Sequence, residues 1–359
     1  MKRLLLGLVA MALAVSAPAS AYAGTGADPA ADRGGGRPPG DLRELSQKLR
    51  IHMGSAVDVT ALAGEADYRA VLNREFTHIT AENAMKWESV EPQRGVYTWD
   101  DADAIVRNAQ RNRQNVRGHT LLWHNQLPAW LTEGVADGSI DAKELRKILR
   151  EHILTEVGRY RGKVRAWDVV NEVVDDDGAM RQSIWLTKLG PGYIADAFRW
   201  AHQADPHAKL YINDYNLEWN TAKIDTTLGI VKDLKAKRVP IHGIGFQGHL
   251  GIQYDYPGDF PSVMRTFTDL GLEAAITEAD VRMVLPVTPE KLATQADYYT
   301  RMLSTCAGNP RCVEFTVWGY TDRHSWVPGF FDGEGAACIL DENLAAKPAY
   351  RALLGVRRT

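Results

Sequence analysis

Glu172 and Glu278 are the residues in this sequence best placed to do chemistry. Glu172 closes WDVVNE (167–172) and Glu278 follows AAIT (274–277), and both runs read as buried strands. A carboxylate at the end of a buried strand is costly unless something compensates it, so one at that position is employed. Two carboxylates facing each other across a substrate are the working parts of glycosidic bond hydrolysis. In the retaining form one donates a proton to the leaving oxygen while the other attacks the anomeric carbon. A proton donor also needs surroundings that preserve its acid form, which a partly desolvated strand end provides. Asp280 lies two residues beyond Glu278, past the strand, where a supporting role is expected. Asp175–Asp177 with Gly178 read as a solvated turn.

Other polar and aromatic groups collect at the ends of other apolar runs: Glu82, Asn83 and Lys86; His119, Trp123, His124 and Asn125; Asn171; Asp214, Tyr215 and Asn216; Gln247 and His249; and Trp318 followed by Trp326. Capping needs alone would spread such residues over both ends of the strands. Indole faces stack on the C–H faces of pyranose rings, while amides and carboxylates bond hydroxyls, so this rim suits a saccharide. Trp99, Trp167, Trp185 and Trp200 fall within or beside expected elements and are assigned to the core. A metal site built on His119, His124, His242 and His249 is the rival chemistry, but no His-x-His or His-x-x-x-His pair supplies two ligands from one element. A sugar-binding protein without activity would have no use for opposed strand-end carboxylates.

The elements that must carry these residues alternate. Strands are expected at 51–57, 76–80, 115–123, 164–170, 209–213, 244–248, 274–277 and 313–318. Helices are expected at 64–73, 100–113, 141–160, 190–204, 221–237, 257–271, 289–305 and 345–354. Asp141 with Glu144 forms a capping box, and Thr288-Pro289 places proline at a first helical position. Eight βα units predict an α/β fold, a closed (β/α)8 TIM barrel with a single catalytic domain over 41–355. A doubly wound open sheet would offer a Gly-rich turn after its first strand, where this chain has DVTALAGE.

Ahead of that domain, Lys2 and Arg3 precede an apolar run from Leu4 to Val15 and the small-residue site Ala21-Tyr22-Ala23, which predicts a secretory signal over 1–23. Residues 24–40, GTGADPAADRGGGRPPG, read as a flexible leader. Loss of the signal moves the net charge from −3 to about −5, and the absence of a basic stripe argues against a nucleic-acid partner. The expected product is secreted, extracellular, free of the membrane once the signal is removed, and a monomer, with no cofactor and no metal. Cys306 and Cys312 flank a short Gly-Asn-Pro loop and are the expected disulfide, which leaves Cys338, in AACIL, as a buried thiol.

From His52 to Tyr350 the chain resembles the endo-β-1,4-xylanases of glycoside hydrolase family 10. The resemblance is carried by TAENAMKWESVEPQRGVYTW, RGHTLLWHNQLPAW, WDVVNE, INDYN, GIGFQGHL, ITEAD, WGYTDRHSW and GFFDGEGAACILDENLAAKPAY, in the family's order. It implies xylan or xylo-oligosaccharides as substrate, Glu172 as acid/base and Glu278 as nucleophile. It further implies that Glu82, Asn83 and Lys86 bind xylose units on the non-reducing side of the cut, and that His119, Trp123, Gln247, Trp318 and Trp326 surround the sugar being cleaved. Asn171 would hold that sugar's 2-hydroxyl, His249 would contact the nucleophile, and Tyr215 would lie toward the leaving group. Ala279 departs from the family, which usually has Leu there. A β-1,4- or mixed-linkage glucanase on the same barrel is the alternative, since tolerance of the hydroxymethyl group of glucose is poorly legible in residue types.

Overall fold

The computed structural model describes residues 40–358; the signal expected over 1–23 and all but the last residue of the leader expected over 24–40 lie outside the described residues. Eight strands alternate with helices: β1 (His52–Val57), β2 (His78–Ala81), β3 (Asn115–Gly118), β4 (Ala166–Asn171), β5 (Lys209–Asp214), β6 (Gly243–Phe246), β7 (Glu273–Val284) and β8 (Cys312–Val317). Each pairs in parallel with the next, and β8 pairs back onto β1 from His52↔Glu314 to Ser55↔Val317, which closes the barrel. Closure leaves no sheet edge and gathers all eight strand C-termini at one rim.

All eight expected strands form. The third ends at Gly118 instead of Trp123, because beyond it the chain leaves the ladder with β2 and keeps irregular bonds to β4: Leu121 N–H reaches Asp168 O at 3.0 Å, and Asn171 N–H reaches Leu122 O at 2.9 Å. The seventh runs on to Val284, past the expected end at 277. Its outer half pairs with two short strands, His249–Gly251 and Glu334–Gly335. The helices form with their ends displaced by a few residues, and Leu42–Leu49 and Ala129–Asp137 are helices beyond those expected. Asp141 caps its helix, accepting from Glu144 N–H at 2.8 Å, but the Glu144 carboxyl pairs with Arg94 rather than completing the expected capping box; Thr288 accepts from Lys291 N–H ahead of Pro289.

Alternation along the strands sends one set of side chains outward. Val116, Trp167, Val169, Ile212, Ile244, Ile276 and Phe315 pack against the helices. The other set fills the barrel and is largely polar. Arg117 lies over the Tyr211 ring and pairs with Asp168 (3.1 Å) and Glu314 (3.2 Å). Burial alone would raise the Glu314 carboxyl, yet Arg117 and His78 hold it down at about 2. Such charges persist inside a protein only when paired and bonded. Two glycines make room for larger neighbours. A Cβ on Gly118 would lie 2.1 Å from the Trp167 ring, and one on Gly245 would lie 2.2 Å from Asn213 Oδ1.

Cys306 and Cys312 form the expected disulfide, with Cα atoms 5.2 Å apart, and Cys338 is a buried thiol. Trp167 and Trp185 are buried, while Trp99 and Trp200 are half-buried against the core. Among the described residues no helix is long and apolar enough to cross a membrane.

Candidate active site

The strand C-termini open into a cleft of about 680 Å³ that both glutamates line together with all eleven expected binding residues. A bulge in β4, where the pairing with β5 shifts between Asp168 and Val170, re-aims that strand at the rim. Glu172 then adopts the left-handed region (φ 55°), a conformation that a non-glycine residue holds only where its surroundings fix it. Its backbone is fixed on both sides. Glu172 N–H donates to Asn213 O at 2.9 Å, and Arg181 Nε donates to Glu172 O at 2.7 Å.

The Glu172 carboxyl takes one donor on each oxygen: Trp123 Nε1 at 2.7 Å and Gln247 Nε2 at 3.0 Å. Glu278 stands deeper. It accepts from Asn213 Nδ2 at 2.7 Å and faces His249 Nε2 at 3.2 Å. A relay of amides joins the two, because Asn213 Nδ2 also donates to Asn171 Oδ1 (2.9 Å), which Gln247 Nε2 approaches at 3.5 Å.

The electrostatics separate the two carboxyls. Burial would raise Glu278, but the charge of His119 and the hydrogen bonds from His249 and Asn213 bring it below its ordinary value. His249 is itself held between acids, with Nδ1 at ion-pair distance, 2.9 Å, from Asp280 Oδ2. Burial opposes its charge, yet Asp280 and then Glu278 raise the imidazole to about 10, so it stays cationic at neutral pH. Asp280 lies behind the cleft and also accepts from Trp326 Nε1 at 2.7 Å. His119 is fixed from beneath, its Nδ1 facing Asp168 Oδ2 at 3.0 Å.

Beyond β2, Lys86 Nζ donates to Asn83 Oδ1 at 3.0 Å and lies 5.0 Å over the Trp123 ring. Burial lowers the Lys86 ammonium below its ordinary value; burial, helped by Asp58, lifts Glu82 to about 7. Beyond β5, Tyr215 and Asn216 line the cleft, whereas Asp214 is fully buried and pairs with Lys223 at 2.9 Å. His124 and Asn125 are on the wall. His242 precedes β6, at the opposite end of that strand, where its Nδ1 accepts from Leu210 N–H at 3.0 Å. The four histidines of the rival metal reading therefore do not converge on one point. Ala279 is fully buried, so the smaller residue behind Glu278 is covered.

Asn213 and the cleft-lining residues Gln126, Arg181, Arg282, Phe330 and Phe331 were not anticipated. Asn213 is the final residue of the expected fifth strand, and inward alternation would have found it. Arg181 and Phe331 line the cleft from loops and Phe330 from the one-turn helix Val327–Phe330, segments too short for periodicity, where residue types alone carry no signal. The assembled site offers one carboxyl kept ionised by an imidazolium, a second carboxyl open to the cleft, indole walls and amide donors. That set can protonate a leaving oxygen while stabilising positive charge at the adjacent carbon.

The sequence pattern of glycosyl hydrolase family 10 matches residues 41–356. An endo-1,4-beta-xylanase of Agaricus bisporus is 47% identical over 305 residues, covering 84% of this chain and 90% of that protein. Endo-1,4-beta-xylanase B of Thermotoga neapolitana is 43% identical over 318 residues, covering 87% and 90%. The crystal structure of xylanase 10B from Thermotoga petrophila RKU-1 in complex with xylobiose superposes with a TM-score of 0.84 at 41% identity, covering 89% of this chain and 99% of that one.

Proposed function

The chain belongs to glycosyl hydrolase family 10 and is a xylan-cleaving glycoside hydrolase, and from that premise we propose that it cuts internal β-1,4 linkages of xylan by retaining double displacement. Glu278 attacks the anomeric carbon while Glu172 delivers its proton to the leaving oxygen. A glycosyl ester on Glu278 results. Glu172, now a carboxylate, takes a proton from water, and the water hydrolyses the ester. The observation that carries this reading is the amide relay through Gln247, Asn171 and Asn213, which anchors both carboxyls in one cleft.

The roles of the remaining residues are those that membership of family 10 implies. Asn171 bonds the 2-hydroxyl of the sugar being cleaved, an interaction that strengthens as oxocarbenium-like charge develops. His249, as imidazolium, keeps Glu278 ionised and ready to attack. Trp123, Trp318 and Trp326 form apolar walls around that sugar, with His119 and Gln247 bonding its hydroxyls. Glu82, Asn83 and Lys86 hold units on the non-reducing side, and Tyr215 meets the leaving sugar. The domain spans 41–355 and is exported behind the 1–23 signal and a 24–40 leader; the Cys306–Cys312 disulfide suits an oxidising compartment.

Two measurements test the proposal. Proton NMR of the reaction on a β-xylobioside should show the β-anomer first, and initial formation of the α-anomer would end the retaining reading. Reducing-sugar release should be far faster on xylan than on carboxymethyl cellulose or barley glucan; a preference for either glucan would move the assignment to a glucanase.

A further inference from the structure

The run of aspartates behind Glu172 takes no part in the reaction just described. Asp175 to Gly178 form a turn closed by Gly178 N–H to Asp175 O at 2.9 Å, but their carboxylates do more than face water. Only Asp177 serves the turn itself, accepting from Ala179 N–H at 2.9 Å. Asp175 Oδ1 pairs with Arg181 Nη1 at 2.7 Å. Asp176 Oδ1 accepts from Asn216 Nδ2 at 3.2 Å and lies 3.6 Å from Lys223 Nζ.

Both cations reach onward to the leaving-group wall. Lys223, fully buried on the helix Thr221–Ala236, sets its Nζ 3.3 Å from the centroid of the Tyr215 ring and 2.9 Å from Asp214. Arg181 Nη2 donates to Tyr215 Oη at 2.8 Å while its Nε holds the Glu172 carbonyl at 2.7 Å. Tyr215 is thus gripped at its ring face by one cation and at its hydroxyl by the other. A leucine or methionine would pack beneath a tyrosine ring without the desolvation cost of a buried ammonium, so a lysine there points to orientation as the benefit.

We propose that Asp175, Asp176, Arg181 and Lys223 form a clamp that positions Glu172 and Tyr215 toward the leaving half of the substrate. They are positioning residues for proton delivery and for binding of the departing sugar. The inference rests on the assignment of Glu172 as acid and Tyr215 as a leaving-side contact.

The test compares kcat/KM on three substrates. A 2,4-dinitrophenyl β-xylobioside needs neither a proton nor a leaving-side sugar, phenyl β-xylobioside needs the proton, and xylotetraose needs both. Lys223→Met should lower kcat/KM on xylotetraose on the order of 10–100-fold, the scale of a displacement of about 1 Å at a catalytic group. It should change the dinitrophenyl substrate by less than about threefold, with phenyl xylobioside between. Lys223→Arg should recover part of the loss. Should Lys223→Met fail to fold, the doubly neutral Asp214→Asn/Lys223→Met leaves no unpaired buried charge, and the more exposed Asp175→Asn/Asp176→Asn leaves the core intact; each should give the same ordering. Equal losses on all three substrates, or an unchanged rate on xylotetraose, would overturn the clamp. Wild-type protein inactive on all three would instead remove the functional reading beneath it.

Discussion

Asn213→Ala should expose how much of the site hangs on one amide. Asn213 is fully buried; its Nδ2 donates to Glu278 Oε1 at 2.7 Å and to Asn171 Oδ1 at 2.9 Å, and its Oδ1 accepts from Thr277 Oγ1 at 2.7 Å. Thr277 retains Phe246 O as an acceptor, so its hydroxyl stays satisfied. The losses that remain are a bond to a charged oxygen, about 1.5–3 kcal/mol, and one to a neutral amide, about 1 kcal/mol. The total is about 3 kcal/mol. With an unfolding entropy of about 2.1 cal/mol/K per residue over roughly 320 residues, that lowers the calorimetric midpoint by about 4–5 °C. The pH dependence discriminates further. Because Glu278 is held below its ordinary value, its ionised form stabilises the fold above that value, 4.5, and the contribution fades as pH falls through the lowered one. Asn213 contributes to this share only while Glu278 is charged, so the gap between wild type and variant should narrow below pH 4.5. Scanning calorimetry at neutral and acidic pH measures both quantities. A gap that persists undiminished in acid, or a shift under about 1 °C at pH 7, would refute the argument.

Removal of the proposed nucleophile in Glu278→Ala should reduce kcat on the order of 10⁴-fold or more, and added azide should yield a glycosyl azide of inverted configuration; wild-type activity would refute the assignment. Glu172→Gln should lose about 10²–10⁴-fold on phenyl xylobioside and far less on the dinitrophenyl analogue, since only the former needs a proton; equal losses would remove Glu172 from the acid role. Burial lifts Glu82 to about 7, and a carboxylate accepts from hydroxyls more strongly than an acid does. KM for xylotetraose should therefore fall as pH rises through 7, an inflection that Glu82→Gln should abolish and whose survival in that variant would exclude Glu82 as its source.

The barrel and the outline of the cleft were legible because their signals are local. A parallel strand buried on both faces reads as a short apolar run, and the first polar residues beyond it fall at the rim; that rule led to Glu82, to Asn171 with Glu172, and to Glu278, all of which line the cleft. Its failures share a cause. Polar residues continue along β7 beyond residue 277, Glu278 and Arg282 lining the cleft and Asp280 buried behind it, so a continuing strand resembled a polar loop. His119 to Trp123 looked like strand, but that stretch leaves the ladder with β2 and keeps only irregular bonds to β4. Asn213 sat one residue inside the expected boundary and escaped a search confined to what lies beyond. Arg181 could not be found at all, since its importance comes from meeting Tyr215 and Glu172, and no periodicity in its own loop encodes that encounter.

Because the relay of Gln247, Asn171 and Asn213 touches both carboxyls, Glu172 and Glu278 form one energetic unit. Substitutions there should show strong epistasis: a second change within the relay costs less than it would alone, since the first has already broken the shared connection. A lineage or a laboratory selection that altered one of these amides would gain little by reverting its neighbours singly. Routes to a new specificity are then more open along the aromatic walls, where Phe330 stands 72% exposed and carries no such obligation.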